Sequence, residues 1–220
     1  MFPIKIYIVI QFFPFINSSR GFITLNMEAQ VNSVVKSCYA NLYTISRIRH
    51  CLTQEAAATL VNSQVTSRLD SFNAVLYKIP DYLKHKLQLV QNNAARLVTG
   101  TRRQDDISTV LKDLHWLPIT FRIDYKVIVL CFKALNNLAP KYLSDLLTPY
   151  TKDRELRSLS KKLLDKPKTK LITYGDRAFA YAAPTLWNKL PDHLRTIDKL
   201  TTFKIALKTH LYKQAFDHVS

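Results

Sequence analysis

The chain has 220 residues, of which 47% are hydrophobic and 22% are charged, and its formal net charge is +16. This balance is ordinary for a globular protein and excludes disorder along the whole chain. Only three residues are glycine, which argues against the glycine-rich loops that cradle phosphates in nucleotide-binding enzymes. The excess of positive charge indicates that the partner is a polyanion, and nucleic acid is the first candidate. The alternative is that the basic surface is only solvated.

An apolar extension occupies residues 1–25. Its most apolar part, Met1–Ile16, is shorter than the roughly 20 residues that a membrane span requires, and Lys5 and Pro14 interrupt it. A secretory signal over residues 1–17 is one interpretation, but no small-residue cleavage site follows. We prefer the interpretation that neighbouring sequence is translated ahead of the domain. The three widely spaced cysteines fit a reducing intracellular compartment, either nucleus or cytoplasm.

Residues 26–150 are predicted to form a helical domain, because apolar residues recur at helical spacing between prolines that act as punctuation. Capping or helix-initiating residues mark four predicted helix starts: Asn26, Thr53, Pro80 and Pro118. Gly100 is expected to end the third of these helices, because glycine is the residue that most readily follows a helix.

Three apolar stripes of this region are predicted to face a hydrophobic core. They comprise Val31, Val35, Cys38, Leu42 and Ile45; Leu83, Leu87, Val90, Ala94 and Leu97; and Ile119, Ile123, Val127, Leu130 and Ala134. Trp116 and Trp187 each lie beside a turn that contains Leu-Pro, and both are expected to be largely buried.

The C-terminal third of the chain changes character. Residues 151–172 hold eight lysines and arginines, three acidic residues and little periodicity, so they are predicted to form a basic exposed segment. Residues 173–220 are predicted to form a small subdomain that ends in an amphipathic helix capped by Thr202. Short strands are expected over residues 170–174 and 179–181. The predicted fold class is therefore mainly α, with a small irregular or β-containing C-terminal part.

Patterns that would indicate catalysis are few. Asp105-Asp106 is the one Asp-Asp pair, and Arg103 stands where the Tyr/Phe-x-Asp-Asp motif of a polymerase has its aromatic residue. Two-metal catalysis needs such carboxylates as ligands, but this pair precedes a predicted helix over residues 107–114 and is expected to cap it. The cysteines lack a Cys-x-x-Cys pair, and the histidines lack metal-ligand spacing. We therefore predict no enzymatic activity, no metal, no cofactor and no small-molecule substrate.

Basic residues interleaved with aromatic residues are the remaining signal. Lysine and arginine neutralise phosphates, and exposed aromatic rings stack unpaired bases. The candidate nucleic-acid-binding residues are Arg96, Arg102, Arg103, Arg122, Lys126, Arg154, Arg157, Lys161, Lys162, Lys168, Lys170, Tyr174 and Arg177. They predict binding of RNA or DNA with weak sequence specificity at most, and a membrane partner is not expected.

The stretch Leu114-His-Trp-Leu-Pro-Ile-Thr-Phe-Arg-Ile-Asp-Tyr-Lys126 is the most informative part of the chain. It is accompanied, in order, by Met27–Asn32, Ile45–Arg49, Thr66–Asp70 with Asn73, Leu87–Leu97, Ala139–Leu143, Leu156–Ser158, Gly175–Phe179, Ala183–Pro191 and Phe203–Leu211. This ordered set, over about residues 25–215, resembles the C-terminal, post-polymerase region of reverse transcriptase polyproteins from LINE-type (non-LTR) retrotransposons.

The resemblance implies a thumb-like or post-thumb helical region that helps a parent polyprotein hold template RNA or target DNA. In that family the endonuclease and the RNA-directed DNA polymerase lie upstream, and their catalytic aspartates have no counterpart here. The expected function is thus that of a non-catalytic nucleic-acid-binding fragment of retrotransposon origin. The alternatives are an inert or protein-interaction helical domain and, if the N-terminal segment directs export, a secreted or membrane-associated protein.

Overall fold

Helices account for most of the chain in the computed structural model, which describes residues 27–71, 73–150, 162–168 and 175–217. The predicted mainly α fold is confirmed. The apolar extension over residues 1–25 and most of the predicted basic segment lie outside the described residues, as does the predicted cap Asn26.

In chain order, the α-helices are α1 (Met27–Ile48), α2 (Gln54–Val61), α3 (Ser67–Asp70), α4 (Asp81–Thr99), α5 (Ile107–Asp113), α6 (Ile119–Leu135), α7 (Lys141–Ser144), α8 (Phe179–Trp187), α9 (Asp192–Arg195) and α10 (Leu200–Phe216). A π-helical turn over Asn62–Thr66 joins α2 to α3 without a break. Short 3-10 turns lie at Arg49–Cys51 and Asn73–Leu76.

The predicted ends of the longer helices are mostly confirmed. Thr53 caps α2, because its hydroxyl accepts a hydrogen bond from the amide of Ala56 at 3.2 Å. Pro80 and Pro118 immediately precede α4 and α6, one residue outside the first helical position. Gly100 follows α4 with a left-handed φ of 73°, the conformation that favours glycine at the end of a helix.

The core-facing stripes are confirmed, with three members less deeply buried than the rest: Val35 and Leu97 are half-buried and pack against the core, and Leu130 is half-buried. The predicted start of the last helix is wrong. Thr202 does not cap α10, which begins two residues earlier; the amide of Phe203 already donates to the carbonyl of Lys199 at 2.9 Å.

The strand expected over residues 179–181 is also wrong, because these residues form the first turn of α8. A short apolar run fits a buried helix as well as a strand, and spacing alone does not separate the two. Residues 170–174 lie outside the described part of the chain. Within the described ranges, strand-type pairing is confined to one antiparallel bridge between Pro149 and Leu164.

α1 and α4 pack side by side and run parallel. Lys86 Nζ of α4 donates to Asn32 Oδ1 of α1 at 2.9 Å, and further along both helices Asn93 Nδ2 donates to the hydroxyl of Tyr39 at 3.1 Å. The guanidinium of Arg49, directly after α1, donates to the last carbonyls of α4 at 2.8 and 3.0 Å. The C-terminal ends of both helices therefore meet at one side of the molecule.

An aromatic cluster joins the C-terminal helices to the rest of the core. Phe132 of α6 stacks on Phe203 of α10 with ring centroids 4.2 Å apart, and Trp187 of α8 lies 5.8 Å from the same ring. Trp187 is 1% exposed, so its predicted burial is confirmed. One hydrophobic core therefore contains side chains from both the predicted 26–150 region and the predicted 173–220 region.

Hydrogen bonds hold residues 162–168 against the end of α8. The indole N–H of Trp187 donates to the carbonyl of Lys162 at 2.8 Å. The side-chain amide of Asn188 makes two hydrogen bonds with the backbone of Leu164, at 3.0 and 2.8 Å. These bonds satisfy backbone groups that lie against the core, where an unpaired group would be costly.

Candidate nucleic-acid interface

A groove of about 380 Å³ opens beside the π-helical turn Asn62–Thr66 and the loop that joins α5 to α6. Its aromatic and cationic lining consists of His115, Trp116, Tyr125, Arg122, Lys126 and Lys208. Two of the predicted binding residues, Arg122 and Lys126, are therefore brought together with aromatic rings. The volume lies in the range of pockets that bind small ligands.

The backbone after α5 places Trp116 at the groove. His115 adopts a left-handed φ of 53°. The amide of His115 donates to the carbonyl of Lys112 at 3.0 Å, and the amide of Trp116 donates to that of Leu111 at 2.9 Å. This is the Schellman pattern, which ends a helix and turns the chain sharply. As a result Trp116 packs against the hydrophobic core and also lines the groove, with a side chain less deeply buried than that of Trp187.

Two glutamines of α4 hold the loop that follows Trp116. Gln91, which is 1% exposed, donates from Nε2 to the carbonyl of Leu117 at 2.8 Å. Gln88 Oε1 accepts from the amide of Ile119 at 2.9 Å. The first turn of α6 and the wall of the groove are thus fixed to α4 by one buried and one part-buried hydrogen bond, and the buried one is costly to break.

A carboxylate shared by two side chains forms another part of the wall. Arg122 donates from Nε to Asp70 Oδ1 at 2.9 Å and from Nη2 to Asp70 Oδ2 at 2.5 Å. Asn73 Nδ2 also donates to Asp70 Oδ1, at 2.8 Å. The positive charge of Arg122 is therefore already paired with a carboxylate. In the structure Arg122, which was predicted to contact phosphate, joins α6 to the end of α3.

The unopposed positive charges of the groove belong to Lys126 and Lys208. Both side chains are exposed, and neither has a hydrogen-bond or ion-pair partner within the described part of the chain. Lys208 lies on α10, far along the sequence from Lys126, so no local spacing indicates that they meet. Tyr125 is half-buried at the groove, and this burial raises its pKa above the ordinary value.

The predicted cluster Arg96, Arg102 and Arg103 lies elsewhere, at the C-terminal end of α4. Arg96 donates to the carbonyls of Arg102, Arg103 and Asp105, each at 3.3 Å. The hydrogen bonds of its guanidinium therefore hold the loop that leads to α5. Arg102 and Arg103 remain exposed.

Three of the predicted C-terminal cations lie in the described ranges. Lys162 is paired with Asp198 at 3.1 Å, Lys168 is exposed, and Arg177 is half-buried. The remaining predicted residues of this segment lie outside the described residues: Arg154, Arg157, Lys161, Lys170 and Tyr174.

The adjacent carboxylates Asp105 and Asp106 act on the backbone. Asp106 accepts from the amides of Ser108 and Thr109 at 3.2 and 3.3 Å, and these hydrogen bonds lower its pKa. Asp105 accepts from the amide of Arg102 at 2.9 Å. The predicted capping of α5 is thus confirmed. Among the described residues, His, Cys, Asp and Glu side chains form no group of three or more that could hold a metal ion.

No protein-family model, curated protein or solved structure matches the chain. Within the described ranges, no helix combines the length and the apolar character needed to cross a membrane. The groove and the segments that line it are therefore the basis for assigning a function.

Proposed function

We propose that this chain is a non-catalytic nucleic-acid-binding domain derived from the post-polymerase region of a LINE-type retrotransposon polyprotein. The observation that carries the proposal is the groove in which the exposed Lys126 and Lys208 lie beside Trp116 and Tyr125. Unopposed cations bind phosphates, and neighbouring aromatic rings accept bases.

The segments that carry the resemblance surround the groove. Three segments that carry the resemblance contribute to its lining: Thr66–Asp70 with Asn73, Leu114–Lys126 and Phe203–Leu211. A fourth, Leu87–Leu97, supplies the two glutamines that hold its wall. Segments far apart in the chain thus meet at one place, which supports a shared role in binding.

The non-catalytic character is supported by the use of the Asp105-Asp106 pair. Both carboxylates accept hydrogen bonds from backbone amides around the start of α5. Two-metal phosphoryl transfer instead requires carboxylates that converge on the metals.

A salt-dependent binding titration tests the proposal. Affinity for single-stranded RNA and duplex DNA is measured at several salt concentrations for the wild type and for Lys126→Glu/Lys208→Glu. The double reversal should weaken binding to all sequences alike. It should also flatten the dependence of log affinity on log salt, by about 0.7 to 0.9 for each phosphate that the protein no longer neutralises.

The matched control is Lys36→Glu/Lys141→Glu, which makes the same change in net charge at exposed lysines outside the groove. Its salt dependence should stay close to that of the wild type. Absence of binding at low salt, or equal losses of affinity in the two double variants, would contradict the proposal.

A protein-interaction domain is the second candidate, and one observation favours it. The outer faces of α1 and α4 expose several large side chains: Tyr39 at 39%, Tyr43 at 66%, Tyr82 at 52% and Leu89 at 42%. Exposed tyrosines on adjacent helices are common where a protein partner binds. Under this alternative, the groove reversals leave partner binding intact, and nucleic-acid binding is absent at low salt.

A further inference from the structure

We infer that the groove binds an unpaired nucleotide of a single strand, with the base against Trp116 and the adjoining phosphate beside Lys126 and Lys208. This inference rests on the proposed function and adds a preference for single strands over duplexes. RNA and DNA share the required chemistry, so both serve as probes below.

Aromatic rings line the groove and suit it to an unpaired base. Trp116 is half-buried, so part of its ring is anchored in the core and part faces the groove. Tyr125 and His115 lie along the same cavity. Aromatic rings bind the faces of unpaired bases, whereas the faces of bases inside a duplex are covered by their neighbours in the stack. A recess of about 380 Å³ lined in this way suits one unpaired base.

The aromatic wall of the groove is already in place before a ligand binds. Trp116 follows a Schellman turn, and the buried Gln91 is bonded to the next residue, Leu117, at 2.8 Å. A ring held by its backbone loses little further freedom when a base packs against it. The groove is thus preorganised for stacking.

Asn73 supplies a third, independent observation. This residue is 2% exposed and lies at the groove, and its Oδ1 has no hydrogen-bond partner. Its Nδ2 donates to Asp70 Oδ1 at 2.8 Å, so reversing the amide would place two acceptor oxygens together. A buried acceptor without a donor is destabilising. An amino group on a base edge is a donor of the kind that would satisfy it, and reaches this buried oxygen once the Asn73 side chain turns towards the groove.

The charges complete the arrangement. Arg122 is already paired with Asp70 at 2.5 Å, which leaves Lys126 and Lys208 as the groove cations free to contact a phosphate. Two unopposed ammonium groups suit a flexible single-strand backbone, because lysine contacts phosphate as a point charge without a fixed planar geometry.

The fluorescence of the full chain provides the test. The chain has two tryptophans, and Trp187 is 1% exposed with its indole bonded to Lys162, so a change in emission on binding reports Trp116. Mixed-sequence RNA and DNA single strands of about 12 nucleotides, within the range of known single-strand sites, are titrated beside the corresponding DNA duplex. The single strands should bind more tightly and quench the emission more than the duplex.

Two substitutions at the same position separate stacking from packing. Trp116→Leu should lower single-strand affinity roughly 5- to 150-fold, the range for loss of one stacked base, and leave duplex affinity nearly unchanged. Trp116→Phe keeps an aromatic face, so it should retain single-strand affinity while losing the quenching. Tyr43→Leu, which removes a 66% exposed ring outside the groove, is the matched control and should bind as the wild type does.

The outcomes separate the two proposals. Salt-dependent binding with equal affinity for single strands and duplex, unchanged in Trp116→Leu, would overturn the inference and leave the proposed function standing. Absence of binding to any probe at low salt would overturn both. If Trp116→Leu does not fold, the wild type and Trp116→Phe decide. Single strands that quench the wild type, and that bind Trp116→Phe with normal affinity but without quenching, support the inference. Single strands that bind the wild type without quenching its emission overturn the inference.

Discussion

Among the carboxylic acids of the described residues, Asp124 is the one whose ionisation the fold opposes most clearly. It lies half-buried on α6, and burial raises its pKa to about 6 although Lys189 and Lys84 act in the opposite direction. An aspartate in an unfolded chain titrates near pH 3.9. The native state therefore holds a proton that the unfolded state releases between about pH 4 and 6, and stability falls as pH rises through that window.

Asp124→Asn should remove this pH dependence. Because asparagine stays neutral, the variant should be more stable than the wild type at pH 8, by about 1–3 kcal/mol, and the difference should shrink towards pH 4. Urea unfolding at a series of pH values measures this. Asp113→Asn, at an exposed position on α5, is the control and should follow the wild type. A stability difference independent of pH would show that Asp124 is ionised in the fold at no cost.

At the scale of elements, the contact between α4 and the α5–α6 loop depends on Gln91. Replacing it by leucine leaves the carbonyl of Leu117 without the donor that now lies 2.8 Å away. The expected decrease in the free energy of unfolding is about 1–3 kcal/mol, the cost of a buried group left unpaired. Urea unfolding tests this against Gln214→Leu, an exposed glutamine on α10 that should have little effect. Equal stability of the two variants would mean that the loop is held by packing alone.

Local signals predict the helices of this chain better than they predict the groove. Thr53, Asp106 and Gly100 act within four residues of their own positions, so sequence spacing is sufficient to place the helix ends. The left-handed conformation of His115 escaped prediction because glycine is the usual residue at a left-handed helix end. The π-helical turn also left no sequence signal. The groove brings together Trp116 and Lys208, which lie far apart in the chain, and such pairing depends on the packing of α6 and α10.

For the whole molecule, the shared core predicts cooperative unfolding. Phe132, Trp187 and Phe203 come from α6, α8 and α10 and pack as one cluster. Removal of the C-terminal helices would expose the core of the preceding ones, so the described parts should unfold in a single transition. In the Trp116→Phe variant, whose fluorescence reports Trp187 alone, fluorescence and far-ultraviolet circular dichroism should give the same midpoint in urea. An earlier fluorescence change at constant helicity would instead indicate that the C-terminal helices separate first.

The parallel packing of α1 and α4 has an electrostatic consequence for the molecule. A helix carries roughly half a unit of negative charge at its C-terminal end, and the two ends here lie on the same side. Arg49 is bonded to the terminal carbonyls of α4, and Arg96, Arg102 and Arg103 lie at the same end of that helix. These cations oppose about one unit of negative charge that belongs to the peptide backbone. A formal net charge of +16 counts ionised side chains alone, so it overstates the attraction that this end of the molecule exerts on a polyanion.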